Sequence, residues 1–278
     1  MSYSIKVRTH VSSAMRRTIM ETKMLEEMSW EEFDRAREEA VAALIPIGSI
    51  EEEGPHLPLG VDTFVAVEVA KKVALQLPVV VLPQVSIGYS EWHKGFPGTL
   101  SLNLSTLTQM LREICGDLAE QGLNRIVFIN PHVGNETPIM EVAIELRKKS
   151  LARVAMFHLW AIANEMGKEI EGLVEKRFAH GGEMMTSVML ALRPDLVHKE
   201  KAVKEFERPP MEGSKQEGSF RVLFKNRHIN FYCLSKELTK SGTMGDPTHA
   251  TQEKGEIIIK AWVDLICDFI REFKKVPI

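Results

Sequence analysis

With 35 basic and 38 acidic residues in 278, the chain has a net charge of −3, so neither nucleic acid nor an anionic membrane surface is expected as a partner. No apolar stretch approaches the roughly 18–20 residues of a membrane span, and residues 1–20 lack a secretory pattern, so a cytoplasmic protein is expected. Cys115, Cys233 and Cys267 lie far apart without a CxxC pair and read as small core residues rather than as disulfides or a zinc ribbon.

Residues 1–28 are polar and weakly patterned, and read as an arm ahead of one domain spanning the chain. Ser29 and Glu32 fit a capping box, which predicts a short helix over 30–40. Residues 41–47 are almost all aliphatic and predict a buried strand of the parallel type. Then the pattern breaks. Residues 48–62 hold Glu51, Glu52, Glu53, His56 and Asp62 among glycines and prolines. If the chain leaves the strand extended, Glu51 and Glu53 point to one side and Glu52 to the other, on a solvated face. Asp62 or Thr63 is placed to cap a helix over 63–76.

A strand over 79–85 precedes a loop over 88–99, too rich in glycine and aromatics for a mere connector. Trp92 and His93 lie in it. A helix over 105–121, a strand over 125–130 and a helix over 137–149 follow, with His132 just beyond the strand, where ligands collect in open α/β sheets. Residues 154–159 predict a fourth strand, and 164–178 a charged helix. His180 and Glu183 precede and open an apolar helix ending at Leu192. Residues 199–228 read as a surface excursion or subunit contact, 231–234 as one more strand, and 251–274 as a long amphipathic closing helix. Alternating strands and helices predict a three-layer α/β/α domain around a mostly parallel sheet. His10, His158, His198 and His228 read as structural histidines.

The acidic loop, His93, His132 and the His180/Glu183 pair are the candidate site, because convergent carboxylates and histidines are what divalent ions require. No GxGxxG, GxxxxGK[ST] or GxSxG occurs after any strand, which argues against nucleotide binding and serine hydrolysis. Five ordered segments, namely 48–62, 95–99, 130–135, 180–187 and 245–248, resemble the motifs of the creatininase (creatinine amidohydrolase) family, from about residue 29 to the closing helix. The resemblance implies a creatininase-like hydrolase with two divalent ions (Mn, Fe or Zn), a small-molecule substrate and a homo-oligomer, often a hexamer built as a trimer of dimers.

Carried over, the family's ligands fall on Glu51, Asp62 as the bridge, His132 and Glu183, while its usual histidine two residues after the first Glu is Glu53 here. An oxygen-richer shell favours harder ions such as Mn²⁺ over zinc. His180 is expected to protonate the leaving atom or to orient a ligand, beside Glu183, and His56, Trp92 and His93 to line the substrate pocket. Met185 stands where a second Glu is common. Among the family's chemistries, opening of a keto-inositol-type cyclic ketone is expected ahead of creatinine hydrolysis, with a catalytically silent scaffold as the alternative.

Overall fold

Residues Ala42–Pro46 form strand β1, buried along its whole length, because its two faces meet different helical layers. Ala42 and Leu44 enter one apolar cluster while Ala43 and Ile45 enter another, as the two-residue period of a strand requires. The computed structural model describes residues 23–217 and 220–278. Within them β1 is flanked by β2 (Val79–Val81) and β3 (Arg125–Asn130), and β4 (Arg153–His158) pairs with β3, giving the order β2-β1-β3-β4 with all pairs parallel.

Helix α1 (Trp30–Glu39) opens on the expected capping box, and with α3 (Leu104–Glu120) and α4 (Glu136–Lys148) it covers one face. Helices α2 (Val61–Ala74), α5 (Leu159–Met166), α6 (Glu183–Leu192) and α8 (Gln252–Phe273) supply the layer on the other. This is the three-layer α/β/α arrangement. Each fully buried side chain such as Leu44, Ile45, Phe128 or Trp262 contributes about 1.5–3 kcal/mol of hydrophobic stabilisation. Helices α6 and α8 approach so closely that a Cβ on Gly255 would collide with the Ser187 carbonyl.

Two sequence expectations are corrected, at 164–178 and at 231–234. The charged stretch 164–178 is helical only to Met166, and the rest is an irregular loop. Gly172 adopts a left-handed backbone (φ 79°), and Ile170 and Leu173 anchor the loop in the core. The surface excursion contains a three-stranded antiparallel sheet of β5 (Ser214–Gln216), β6 (Arg221–Phe224) and β7 (Arg227–Asn230). Lys225 and Asn226, both with positive φ, make the tight β6–β7 turn that suits the twist of a hairpin. Residues 231–234 are not a strand; short helix α7 (Ser235–Leu238) follows them.

Of the expected arm, 1–22 lies outside the described residues, and Met24 bridges Val81 at the sheet edge. Cys115 and Cys267 are buried, and Cys233 is half-buried. Among the described residues no helix is long and apolar enough to cross a membrane.

Candidate metal centre

The site lies beyond the carboxyl ends of the strands. The chain leaving β1 carries Glu51, Glu52 and Glu53; the chain leaving β2 carries His93, in a 3₁₀ turn over Glu91–His93; His132 follows β3; His180 precedes α6. Asp62 lies in the first turn of α2, whose N-cap is Gly60, so the expected capping role is not Asp62's. Its carboxylate turns inward, where Oδ1 accepts the Trp160 indole N–H (2.8 Å) and Oδ2 accepts the Ser49 hydroxyl (2.9 Å). An acid at that end of a helix also meets the favourable pole of the backbone dipoles.

The hydrogen bonds of His132 fix what it offers. Its Nε2 lies 2.8 Å from the Tyr89 carbonyl oxygen, which can only accept, so Nε2 carries the proton. Nδ1 therefore faces Glu51 Oε1 at 3.1 Å and Asp62 Oδ2 at 3.4 Å. A nitrogen lone pair aimed at two carboxylates is stable only with a cation or a proton between them. Without an ion the proton wins: burial favours neutral imidazole, but Glu51 and Asp62 together hold His132 well above its ordinary pKa. Burial likewise opposes ionisation of Glu51, yet the neighbouring His132 and His93 hold its carboxyl well below the usual range. Position 134 must stay bare, because a Cβ on Gly134 would strike the Tyr89 carbonyl and stand 2.5 Å from His132 Nε2.

Among the described residues two overlapping sets of donors emerge, each with ligand atoms within 4.8 Å of one another: Glu51, Asp62 and His132, and Glu51, His93 and His180. Glu51, rather than Asp62, is common to both. Glu51 Oε2 and both carboxylate oxygens of Glu53 are buried without a hydrogen-bond partner among the described residues. Buried carboxylate oxygens rarely go unsatisfied, and a divalent ion held by Glu51 would satisfy its Oε2.

Glu52 is not on a solvated face. It is 5% exposed, its Oε1 lies 2.8 Å from His93 Nδ1, and its backbone oxygen accepts from His180 Nε2 at 2.6 Å. Glu53 lies 3.3 Å from that same nitrogen. Burial, reinforced by the charges of Asp62, Glu51 and Glu52, pushes the Glu53 carboxyl well above its ordinary pKa. Burial would favour a neutral His180, but Glu53 and Glu52 hold it well above the usual histidine range.

Glu183, the expected fourth carboxylate ligand, is brought elsewhere. Its Oε1 accepts from Lys254 Nζ (2.6 Å), and its Oε2 from the backbone N–H groups of Val174 (2.8 Å) and Glu175 (2.6 Å). It belongs to neither donor set and does not line the cavity. His56, expected in the pocket, sits behind its wall with Nε2 2.9 Å from Thr186 Oγ1. Burial pushes His56 down to about 4. Folded protein therefore keeps it neutral while the unfolded chain takes up a proton below about pH 6.5, so its contribution to stability is complete above that value. It is lost as pH falls toward about 4, amounting to about 3 kcal/mol. Urea unfolding with chelator between pH 4.5 and 7.5 should show that difference between wild type and His56→Gln.

The donors floor a cavity of about 950 Å³. Trp92 and His93 line it, and so do two histidines read as structural: His158, paired with Glu136 (2.7 Å), and His228 on β7, paired with Glu217 (2.9 Å). Their sequence neighbourhoods carry no ligand pattern, and only the fold brings them here. Lys176, Arg177, Lys215 and Arg221 form the cavity's cationic mouth, with Arg177 and Lys215 near Glu217. Glu207 is also in the wall, and burial, outweighing the pull of His180, pushes its carboxyl up to about 7.

An open parallel sheet with a buried carboxylate–histidine floor beyond its strand ends defines an α/β protein with a candidate site for divalent cations. The comparisons give the class a family. Residues 26–270 match the creatininase (creatinine amidohydrolase) family, and the chain belongs to it. It is 30% identical over 262 residues to creatinine amidohydrolase of Pseudomonas putida, covering 88% of this chain and 95% of that protein. To the mycofactocin precursor peptide peptidase of Mycolicibacterium smegmatis it is 33% identical over 237 residues, 83% of this chain and 85% of that one. A solved manganese creatininase superposes with a TM-score of 0.75 at 28% identity, over 92% of this chain and all of the other.

Proposed function

We propose that the protein is a metal-dependent hydrolase whose floor, Glu51, Asp62, His132, His93 and His180, holds two divalent ions and whose cavity takes an amide-like carbonyl substrate. The observation that carries the reading is His132, whose ring is locked with Nδ1 toward Glu51 and Asp62. Ions bound there would polarise a carbonyl and lower the proton affinity of water.

The chain's own residues supply the rest. His180 donates its Nε2 proton to the Glu52 backbone oxygen, with Glu53 3.3 Å away, which leaves Nδ1 as the atom it can offer an ion. Glu207, poised near 7, is a group able to take or give a proton near neutrality. Trp92 presents a buried indole N–H with no partner among the described residues, suited to a substrate acceptor.

The cavity volume stands near the top of the roughly 300–1,000 Å³ range for drug-sized ligands. Together with the cationic mouth it supports a peptide-sized, acid-bearing substrate ahead of creatinine or a single polyol ring. Val203, Phe206 and Met211 are exposed on the excursion, which supports it as a subunit contact in a homo-oligomer.

The test is metal analysis after chelation and reloading with Mn²⁺, Zn²⁺ or Fe²⁺, followed by hydrolysis assays on creatinine and on a panel of short acidic peptides. Stoichiometric metal with turnover of a peptide bond is the expected outcome. Protein that retains no ion from any of the three is the scaffold alternative.

A further inference from the structure

We infer that His93 supplies the nitrogen ligand that position 53 no longer offers, and that Glu52 fixes its ring for that task; this rests on the metal-centre reading above. The family's histidine at that position is replaced by Glu53, whose two oxygens lie buried and unbonded and whose side chain joins neither donor set. His93 comes from a different loop and is 2% exposed. Its Nδ1 lies 2.8 Å from Glu52 Oε1, and an ionised carboxylate can only accept, so Nδ1 carries the proton.

That leaves Nε2 as the free lone pair, 3.4 Å from Glu51 Oε1. The ring cannot easily turn away. It stacks on His180 (centroids 4.6 Å apart, 28° between planes) and meets Trp92 edge-on at 4.5 Å, while its backbone N–H closes the 3₁₀ turn on the Ser90 carbonyl. A carboxylate holding one ring nitrogen while the other faces a metal position is the usual support of a ligating histidine. Glu52 is thus a positioning residue, and Glu51, His93 and His180 form the second donor set. The nitrogen donor beside Glu51 thus comes from the loop following β2 and not from the strand-end loop.

The experiment counts ions by mass spectrometry and records Mn²⁺ paramagnetic resonance on chelated protein dialysed against buffered Mn²⁺. Wild type should hold two ions with a spin-coupled spectrum, and His93→Gln one ion with an isolated-ion spectrum. Glu52→Gln should keep both but weaken the second by about 10–100-fold, and Glu53→Gln should keep both. Circular dichroism confirms folding, and the near-isosteric Glu52 variant carries the test if His93→Gln does not fold. Two ions in His93→Gln at wild-type affinity, unweakened binding in Glu52→Gln, or a single ion in wild type overturns the inference while leaving a metal centre. Wild type holding no ion at all overturns the metal-centre reading itself, and this assignment with it.

Discussion

Asp62→Asn is expected to strip the ion held by Glu51, Asp62 and His132 and to abolish turnover with it. The substitution is isosteric, so helix α2 and its buried Val61, Val65 and Val69 lose nothing in packing. What changes is the donor pattern. Asp62 Oδ1 accepts from Trp160 Nε1, and Oδ2 lies 2.9 Å from Ser49 Oγ and 3.4 Å from His132 Nδ1. Asparagine keeps the Trp160 bond by placing its oxygen there, and its NH₂ then faces Ser49 and His132. Ser49 can turn its hydroxyl to accept, but the His132 lone pair now meets an N–H instead of a cation. One negative charge and one ligand oxygen disappear together. The loss of affinity should exceed the about 10–100-fold that follows removal of an outer partner of a metal ligand. Fold stability should fall by no more than about 1 kcal/mol, the value of an acid at a helix start. Dialysis against buffered Mn²⁺ with metal analysis reads the first effect and urea unfolding the second. Unchanged occupancy would remove Asp62 from the ligand set.

The fold was largely legible because its signals are local: the aliphatic runs of β1 and β3, the capping box at Ser29, and the 3.6-residue pattern of α3 and α8. The hairpin of 221–230 was not, since its strands are exposed on β7 and carry little alternation. The stretch 167–178 read as helix from composition, but tertiary bonds to its backbone outweigh propensity. Within the site, Glu51, Asp62 and His132 could be read from position relative to strand ends. Glu52 and Glu53 could not. Side chains alternate between faces only in an extended chain, whereas residues 51–54 belong to no strand, and all three glutamates converge on the His93–His180 pair. A donor contributed by a separate loop leaves no motif; only the folded arrangement brings His93 beside Glu51 and His180.

Glu183, whose motif suggests a metal ligand, is held in a hydrogen-bond network with Lys254, Val174 and Glu175. Its fully buried carboxylate holds the amides of Val174 and Glu175, and Glu175 in return accepts the backbone N–H groups of Glu183 (2.7 Å) and Asp246 (2.8 Å). This reciprocal clasp pins the wall segment 174–178 across the cavity. Lys254, reaching from the first turn of α8, supplies the only cation bonded to Glu183 among the described residues. Lys254→Met should therefore leave a buried carboxylate without countercharge, at a cost of about 3 kcal/mol, the lower end for breaking a buried pair because two amides remain. The double variant Lys254→Met with Glu183→Gln should be more stable than the sum of the two single losses predicts, since it removes both charges. Hydrogen exchange should quicken across 173–178 in Lys254→Met, while two ions stay bound. If Glu183→Gln instead loses an ion with the wall segment still protected, Glu183 is a ligand and the clasp is not its role.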